Sequence, residues 1–199
     1  MDKTAVTHYP IHELLAKRWS PRAFSGKAVT AEVLGSLFEA ARWAASCYNE
    51  QPWRFIVARR EEPDAYDTLL GCLVEGNQAW AVQAPVLMLG IAKQTFTRNG
   101  KPNAHARHDL GLATAGMMAQ AGALGLYMHA MGGILPEKAA GIYRVPDDFQ
   151  VCTGIALGYL GDPESLAEPM KTGELEARVR KPLTEIVFAS GWEEPAGFL

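Results

Sequence analysis

Two stretches of the 199-residue chain gather the side chains that could do chemistry. The first is Arg18-Trp19-Ser20-Pro21-Arg22, a short run holding two guanidiniums and a hydroxyl. A guanidinium is a planar fork of donors that matches phosphate oxygens. Pro21 stiffens the turn, so less entropy is lost on binding. Taken alone, the run reads better as a basic helix end satisfying its own dipole. The second stretch is Ser46-Cys47-Tyr48-Asn49-Glu50-Gln51-Pro52-Trp53. Its carboxamides both donate and accept, which suits a heterocycle whose edge alternates carbonyls and nitrogens. A turn with capping side chains explains Asn49 and Pro52 but not the whole string.

Several other chemistries find no support. No G-x-G-x-x-G follows a strand, and no G-x-S-x-G elbow occurs. Gly26-Lys27 and Gly100-Lys101 lack the upstream glycine of a phosphate-binding loop. His12-Glu13 opens like a zinc-protease motif, but Ala16 stands where the second ligand belongs. His105 and His108 could pair on a metal; without a carboxylate or cysteine cluster they read better as solvated histidines. Cys47, Cys72 and Cys152 form no C-x-x-C pair, which suggests a reducing, cytoplasmic setting. The net charge of −3, from 19 basic and 22 acidic residues, argues against a general nucleic-acid binder. The opening residues lack the apolar core of a signal peptide. No run approaches the roughly 20 apolar residues of a membrane span, so a soluble protein is expected.

The elements that must position the two stretches follow from hydrophobic spacing. Residues 10–18 place Ile11, Leu14 and Leu15 on one helical face, with basic residues at the end the dipole favours, and Pro21 stops the helix. Thr30 is a fitting N-cap for a second helix, with Glu32 in its first turn and an apolar stripe of Val33, Leu34, Leu37, Phe38 and Ala41. WRFIVARR from Trp53 predicts a strand and residues 64–74 a helix. VLMLGIA after Pro85 suits a strand covered on both faces. Residues 97–107 look like an exposed loop. The segment 108–126 is nearly uncharged after Asp109 and rich in Ala and Gly. Apolar all round, it is expected as either a central core helix or a dimer seam. A short strand YMHAM, a helix opened by Pro136, a strand VCTGIALGYL and a late β-type run EIVFAS complete the pattern. Helices followed by alternating strands and helices indicate an α+β or mixed α/β domain.

The R-x-S-x-R followed by S-x-x-N-x-Q-P-W leading into a strand resembles the signature of the nitroreductase family of flavin enzymes. Gly76-Asn77-Gln78-Ala79-Trp80 ahead of VLMLGIA, the small-residue helix, Met131-Gly132-Gly133 and Arg178-Val179-Arg180-Lys181-Pro182-Leu183 follow in the family's order. The resemblance runs from the first helix to near residue 187. It implies one α+β domain over residues 1–199, with a nitroreductase-like fold whose mainly antiparallel sheet is flanked by helices. It also implies an intertwined homodimer, residues 162–199 forming an arm onto the partner, and non-covalent flavin mononucleotide (FMN) at the subunit interface.

The same resemblance assigns residues. Arg18 and Ser20, with Trp19 between them, would bind the phosphate and ribityl end, and Arg180, helped by Arg178 or Lys181, would close that site. Arg22 would approach the pyrimidine edge of the ring. Ser46, Cys47, Asn49 and Gln51 would contact the flavin, some of them from the partner chain. Asn77 matches a ring-edge position, and Met131, Gly132 and Gly133 would line the ring with backbone. Glycine suits a place where a flat ring lies close to the chain. A cation at the pyrimidine edge stabilises the charge that reduction puts there.

The implied activity is hydride transfer from NADH or NADPH to an electron-poor organic acceptor such as a nitroaromatic or quinone. The cofactor carries the chemistry, so no catalytic side chain is required. Alkene reduction, dehalogenation or dehydrogenation on the same site, or flavin storage, are the alternatives. The chain departs from some relatives in lacking a lysine just after Asn77, which leaves Arg22 as the pyrimidine-edge cation. It also lacks a long insertion that could form a lid. Trp43, Tyr48 and Trp80 are candidates for an acceptor pocket, against the commoner role of core aromatics.

Overall fold

The computed structural model describes residues 3–199. In chain order the elements are α1 (Glu13–Lys17), α2 (Ala31–Arg42), a 3₁₀ turn at Cys47–Asn49, β1 (Trp53–Arg59), α3 (Pro63–Leu70), α4 (Glu75–Ala81), β2 (Val86–Lys93), α5 (Ala106–Ala123), β3 (Tyr127–Met131), α6 (Pro136–Tyr143), β4 (Phe149–Gly158) and α7 (Met170–Leu175). The four strands form one sheet in the order β1-β2-β4-β3, and every neighbouring pair is antiparallel. The fold is α+β.

The continuous apolar run of β2 dictates a covering layer on each side of the sheet. Leu87, Leu89 and Ile91 point into a core with Tyr66, Leu69, Trp80 and Ala139, beneath α3, α4 and α6. Val86, Met88 and Ala92 point the other way, against Leu34 and Leu37 of α2 and Leu110, Ala113 and Met117 of α5. Each fully buried leucine in these layers contributes about 1.5–3 kcal/mol relative to exposure. The Thr30 hydroxyl accepts from the Val33 N–H at 3.4 Å, so α2 starts where the capping argument puts it. Gly116 lets α2 and α5 approach closely, because a methyl group there would sit 3.1 Å from the Ala40 carbonyl oxygen.

Several elements differ from their sequence-based expectation. The helix expected over 64–74 ends at Leu70, and a separate helix, α4, follows. The chain unwinds between them because Leu73 bridges to Ile134 and the Cys72 carbonyl accepts from the Leu135 N–H at 2.8 Å. Helix α1 is shorter than residues 10–18, and Ile11 and Leu15 lie exposed. Helix α5 is not buried all round. Leu110, Ala113, Met117 and Ala121 face the core, while Leu112, Ala115, Ala119 and Ala123 face outward. EIVFAS makes no strand of the sheet; it contributes to a 3₁₀ turn at Leu183–Glu185 and a lone bridge between Phe188 and Pro195. A β-type run needs an open strand edge to pair with, and among the described residues this one pairs only at the Phe188–Pro195 bridge. Among the described residues no helix is long and apolar enough to cross a membrane.

The segment 18–25 is stitched to the far end of β4. The Gly161 N–H donates to the Ala23 carbonyl at 2.9 Å, and Phe24 bridges to Leu160. A side chain at Gly161 would lie 2.5–2.9 Å from the Phe24 backbone. Backbone cannot rotate away as a flexible side chain can. Gly161→Ala should therefore destabilise the fold by about 1–3 kcal/mol, read as a lowered urea midpoint; an unchanged midpoint would show that this crossing is loose.

Candidate active site

Helix α1 ends at Lys17, short of Pro21, and the chain then turns past a cavity of about 220 Å³. Its wall includes Arg18, Ser20 and Arg22 from this turn and Gly173, Glu174, Arg178 and Arg180 from the tail. Residues some 160 positions apart thus meet, as Arg178 Nη1 donating to the Ala16 carbonyl at 2.8 Å shows directly. The Arg18 guanidinium reaches the Ser20 hydroxyl at 3.5 Å. Burial, and then the neighbouring Arg180 charge, push Arg18 below its ordinary pKa. Burial, then Arg18 and Arg180, do the same to Arg178. Among the described residues no ion pair joins any of these arginines to a carboxylate. Three like charges crowded beside a cavity are suited to an anion from outside the chain.

The turn itself is held from two sides. Pro21 offers its carbonyl to His129 Nδ1 at 2.8 Å, so that nitrogen carries the proton. On the other side the Glu174 carboxylate accepts from the Arg22 and Ala23 N–H groups at 2.9 and 3.0 Å. Lys3 completes the wall, donating to the Glu174 carbonyl at 2.6 Å and lying over the Trp19 ring. Trp19 is buried, edge-on to Tyr127, and borders the cavity.

Edge strand β3 runs from this cavity to the glycine turn. Tyr127 meets Trp19, His129 meets Pro21, and Met131 leads into Gly132 and Gly133. A side chain at Gly133 would lie 2.5 Å from the Asn77 amide nitrogen, whereas the space beside Gly132 is open. Asn77 Nδ2 donates to the Gly133 carbonyl at 2.9 Å, and its Oδ1 accepts from Trp80 Nε1 at 3.3 Å. Asn77 therefore braces the glycine turn. Trp80 is core, its ring centroid 4.5 Å from that of His129.

The Ser46–Gln51 turn lies elsewhere. Its backbone takes positive φ at Tyr48, Asn49 and Gln51. The Ser46 hydroxyl accepts from the Gln51 N–H at 3.0 Å, and the Gln51 amide donates to Asn49 Oδ1 at 3.1 Å. The buried Asp109 carboxylate, at the start of α5, accepts from the Cys47 N–H at 3.0 Å. The Arg18 end adjoins Gly122 instead, near the other end of the same helix. Thirteen residues of α-helix separate them, roughly 20 Å at 1.5 Å per residue. One chain thus carries the two stretches at opposite ends of α5. Tyr48 is exposed beneath the Arg98 guanidinium, 4.0 Å from the ring centre, and Trp43 is exposed with its N–H on Glu39.

Glu174, His129 and Lys3 were not anticipated from sequence. Glu174 sits among polar residues in MKTGELEARVR, where nothing marks it as buried. Asp109 did carry a signal, as the last charge before a long apolar helix.

The chain thus sets a cationic pocket beside an edge strand of an antiparallel sheet sandwiched by helices, an α+β architecture. A model of the Nitroreductase family matches residues 15–159, and the chain belongs to that family. A crystal structure described as an oxidoreductase containing FMN is 36% identical, covering 94% of this chain and 95% of its own, with a TM-score of 0.87. A nitroreductase family protein from Clostridium difficile 630 is 26% identical over 90% of this chain and 97% of its own, with a TM-score of 0.70. A Desulfovibrio desulfuricans protein solved in complex with FMN is 26% identical, covering 94% and 99%, with a TM-score of 0.69. No curated protein sequence matches the chain.

His129 makes the turn's stability depend on pH. Burial, outweighing the Pro21 hydrogen bond, holds its pKa below the ordinary 6.5, with Arg22 and Glu174 as the nearby charges. A proton that binds the unfolded chain more readily than the folded one favours unfolding. This contribution is complete above pH of about 6.5 and declines as pH falls toward the lowered folded value. His129→Asn keeps a donor near Nδ1 and should flatten that part of the urea stability profile; an unchanged profile would place the titration elsewhere.

Proposed function

We propose that the chain binds FMN non-covalently and passes hydride from NADH or NADPH to an electron-poor organic acceptor such as a nitroaromatic or quinone. The observation that carries this reading is the cluster of Arg18, Arg178 and Arg180 around a cavity, none of them in an ion pair among the described residues. A dianionic phosphate fits it in charge and in donor geometry. The FMN named in two of the related structures gives that phosphate its identity.

Bound FMN supplies the hydride chemistry; the chain's part is to hold it and set its electrostatics. Arg18, Ser20, Arg178 and Arg180 grip the phosphate end. Arg22 serves as the pyrimidine-edge cation, stabilising negative charge that develops there. Met131, Gly132 and Gly133 offer backbone along the ring, with Asn77 fixing that turn. Ser46, Cys47, Asn49 and Gln51 act on the site of a second subunit, because they lie at the opposite end of α5 from their own arginines. A homodimer is the reading that the outward face of α5 supports, since Leu112, Ala115, Ala119 and Ala123 leave small apolar side chains exposed. Ile186, Trp192 and Phe198 of the tail are likewise exposed, as an arm onto a partner would be.

The purified protein should carry a flavin spectrum that bleaches anaerobically with NADH or NADPH and returns on adding a quinone. Colour that no nicotinamide bleaches would reject the donor and leave a flavin store. Arg18→Ala should weaken FMN binding by about 1.5–3 kcal/mol, the worth of a charged hydrogen bond; unchanged affinity in a fluorescence titration would remove Arg18 from the phosphate site. Ala119→Trp should shift the molar mass by light scattering from dimer to monomer, and an intact dimer would put the seam elsewhere.

A further inference from the structure

Glu174 is almost wholly buried, at 2% exposure, on the wall of a cavity lined by four arginines. A carboxylate so placed would ordinarily pair with a guanidinium. It does not. Oε1 accepts from the Arg22 and Ala23 N–H groups at 2.9 and 3.0 Å, and Oε2 accepts from the Arg22 N–H at 3.1 Å. Its acceptors are directed to backbone, which leaves the guanidiniums for an external anion. Resting on the phosphate-site reading above, we propose that Glu174 is a positioning residue for that site, holding the 20–23 turn in register with the tail arginines.

The connection is continuous. Through its side chain Glu174 fixes the turn that presents Ser20 and Arg22. Through its main chain it receives the Lys3 ammonium, which also donates to the Glu176 carbonyl. The Lys3 carbonyl in turn accepts from Arg178 Nη1 at 2.7 Å. One residue thus links donors from the two distant segments of the cavity wall. His129 on the Pro21 carbonyl and Gly161 on the Ala23 carbonyl hold two more groups of the turn, so the clamp works against a fixed frame.

Charge and geometry make opposite demands here, which makes the proposal testable. A carboxylate beside the cavity repels phosphate, so removing its charge alone would tighten FMN binding. Losing the clamp would instead misplace directional donors and weaken binding. Glu174→Gln removes the charge and sets an amide N–H₂ against the Arg22 N–H from which Oε2 accepts; Glu174→Asp keeps the charge but withdraws it by one methylene. The assay compares FMN with riboflavin, which lacks the phosphate, by fluorescence titration. Both variants should lose about tenfold or more in FMN affinity and distinctly less, about threefold or below, in riboflavin affinity, which feels the turn only through Arg22 at the ring edge. Tighter FMN binding by Glu174→Gln would make the residue a charge term only, and equal losses for both flavins would make it merely structural. Either result overturns the proposal.

Arg18→Ala separates this from the underlying site assignment. If it leaves the FMN-to-riboflavin ratio unchanged, the phosphate-site reading fails. If it collapses the ratio while both Glu174 variants do not, only the clamp fails. The wild-type holoprotein gives a further check that needs no variant: the Arg22 and Ala23 amides should exchange slowly with deuterium, and fast exchange at both would overturn the clamp.

Discussion

Like charges do not gather in a folded chain without something to hold them, and the crowding of Arg18, Arg178 and Arg180 is the constraint on which the rest of this structure turns. Burial and mutual repulsion both disfavour the charged forms of Arg18 and Arg178. Backbone carbonyls of Lys3 and Ala16 meet Arg178, and that of Val179 meets Arg180. These are neutral acceptors, which orient a guanidinium without cancelling its charge. The positive field is left in place, at a cost in stability that the surrounding packing must offset.

That packing is a rigid frame with the movable chemistry hung from its edges. The two core layers fix the sheet, the sheet fixes β3, and β3 leads from the arginine cavity to the glycine turn. Both candidate binding stretches are then tied down in the same way. A buried carboxylate from a distant element, Glu174 for one and Asp109 for the other, accepts backbone N–H groups of the turn. Because α5 sets the two turns roughly 20 Å apart, the proposed site draws them from different subunits, which gives the small outward side chains of α5 a purpose.

Much of this was legible in sequence where a local rule governs. The unbroken apolar run of β2 and the Thr30 cap each act over a few residues, and each appears where those rules place it. The family motifs were legible as well, and they located the arginines that converge. What stayed hidden depends on contacts between distant segments. Helix 64–74 breaks because Leu73 and Cys72 find partners some sixty residues on. Glu174 looks like any surface glutamate until the tail folds back on the N-terminal turn. Asn77, expected at a ring edge, has both amide atoms engaged by Gly133 and Trp80 within the chain.

The central claim is that these arginines bind FMN through its phosphate, and phosphorus NMR of the flavin-loaded protein examines that group directly. A free phosphate monoester loses its second proton near pH of about 6. Guanidiniums closing on the phosphate should hold it as the dianion, so the bound ³¹P signal should titrate well below that pH or not at all while the protein stays folded. A bound flavin whose ³¹P signal follows the free titration curve would show a solvent-exposed phosphate and contradict the account.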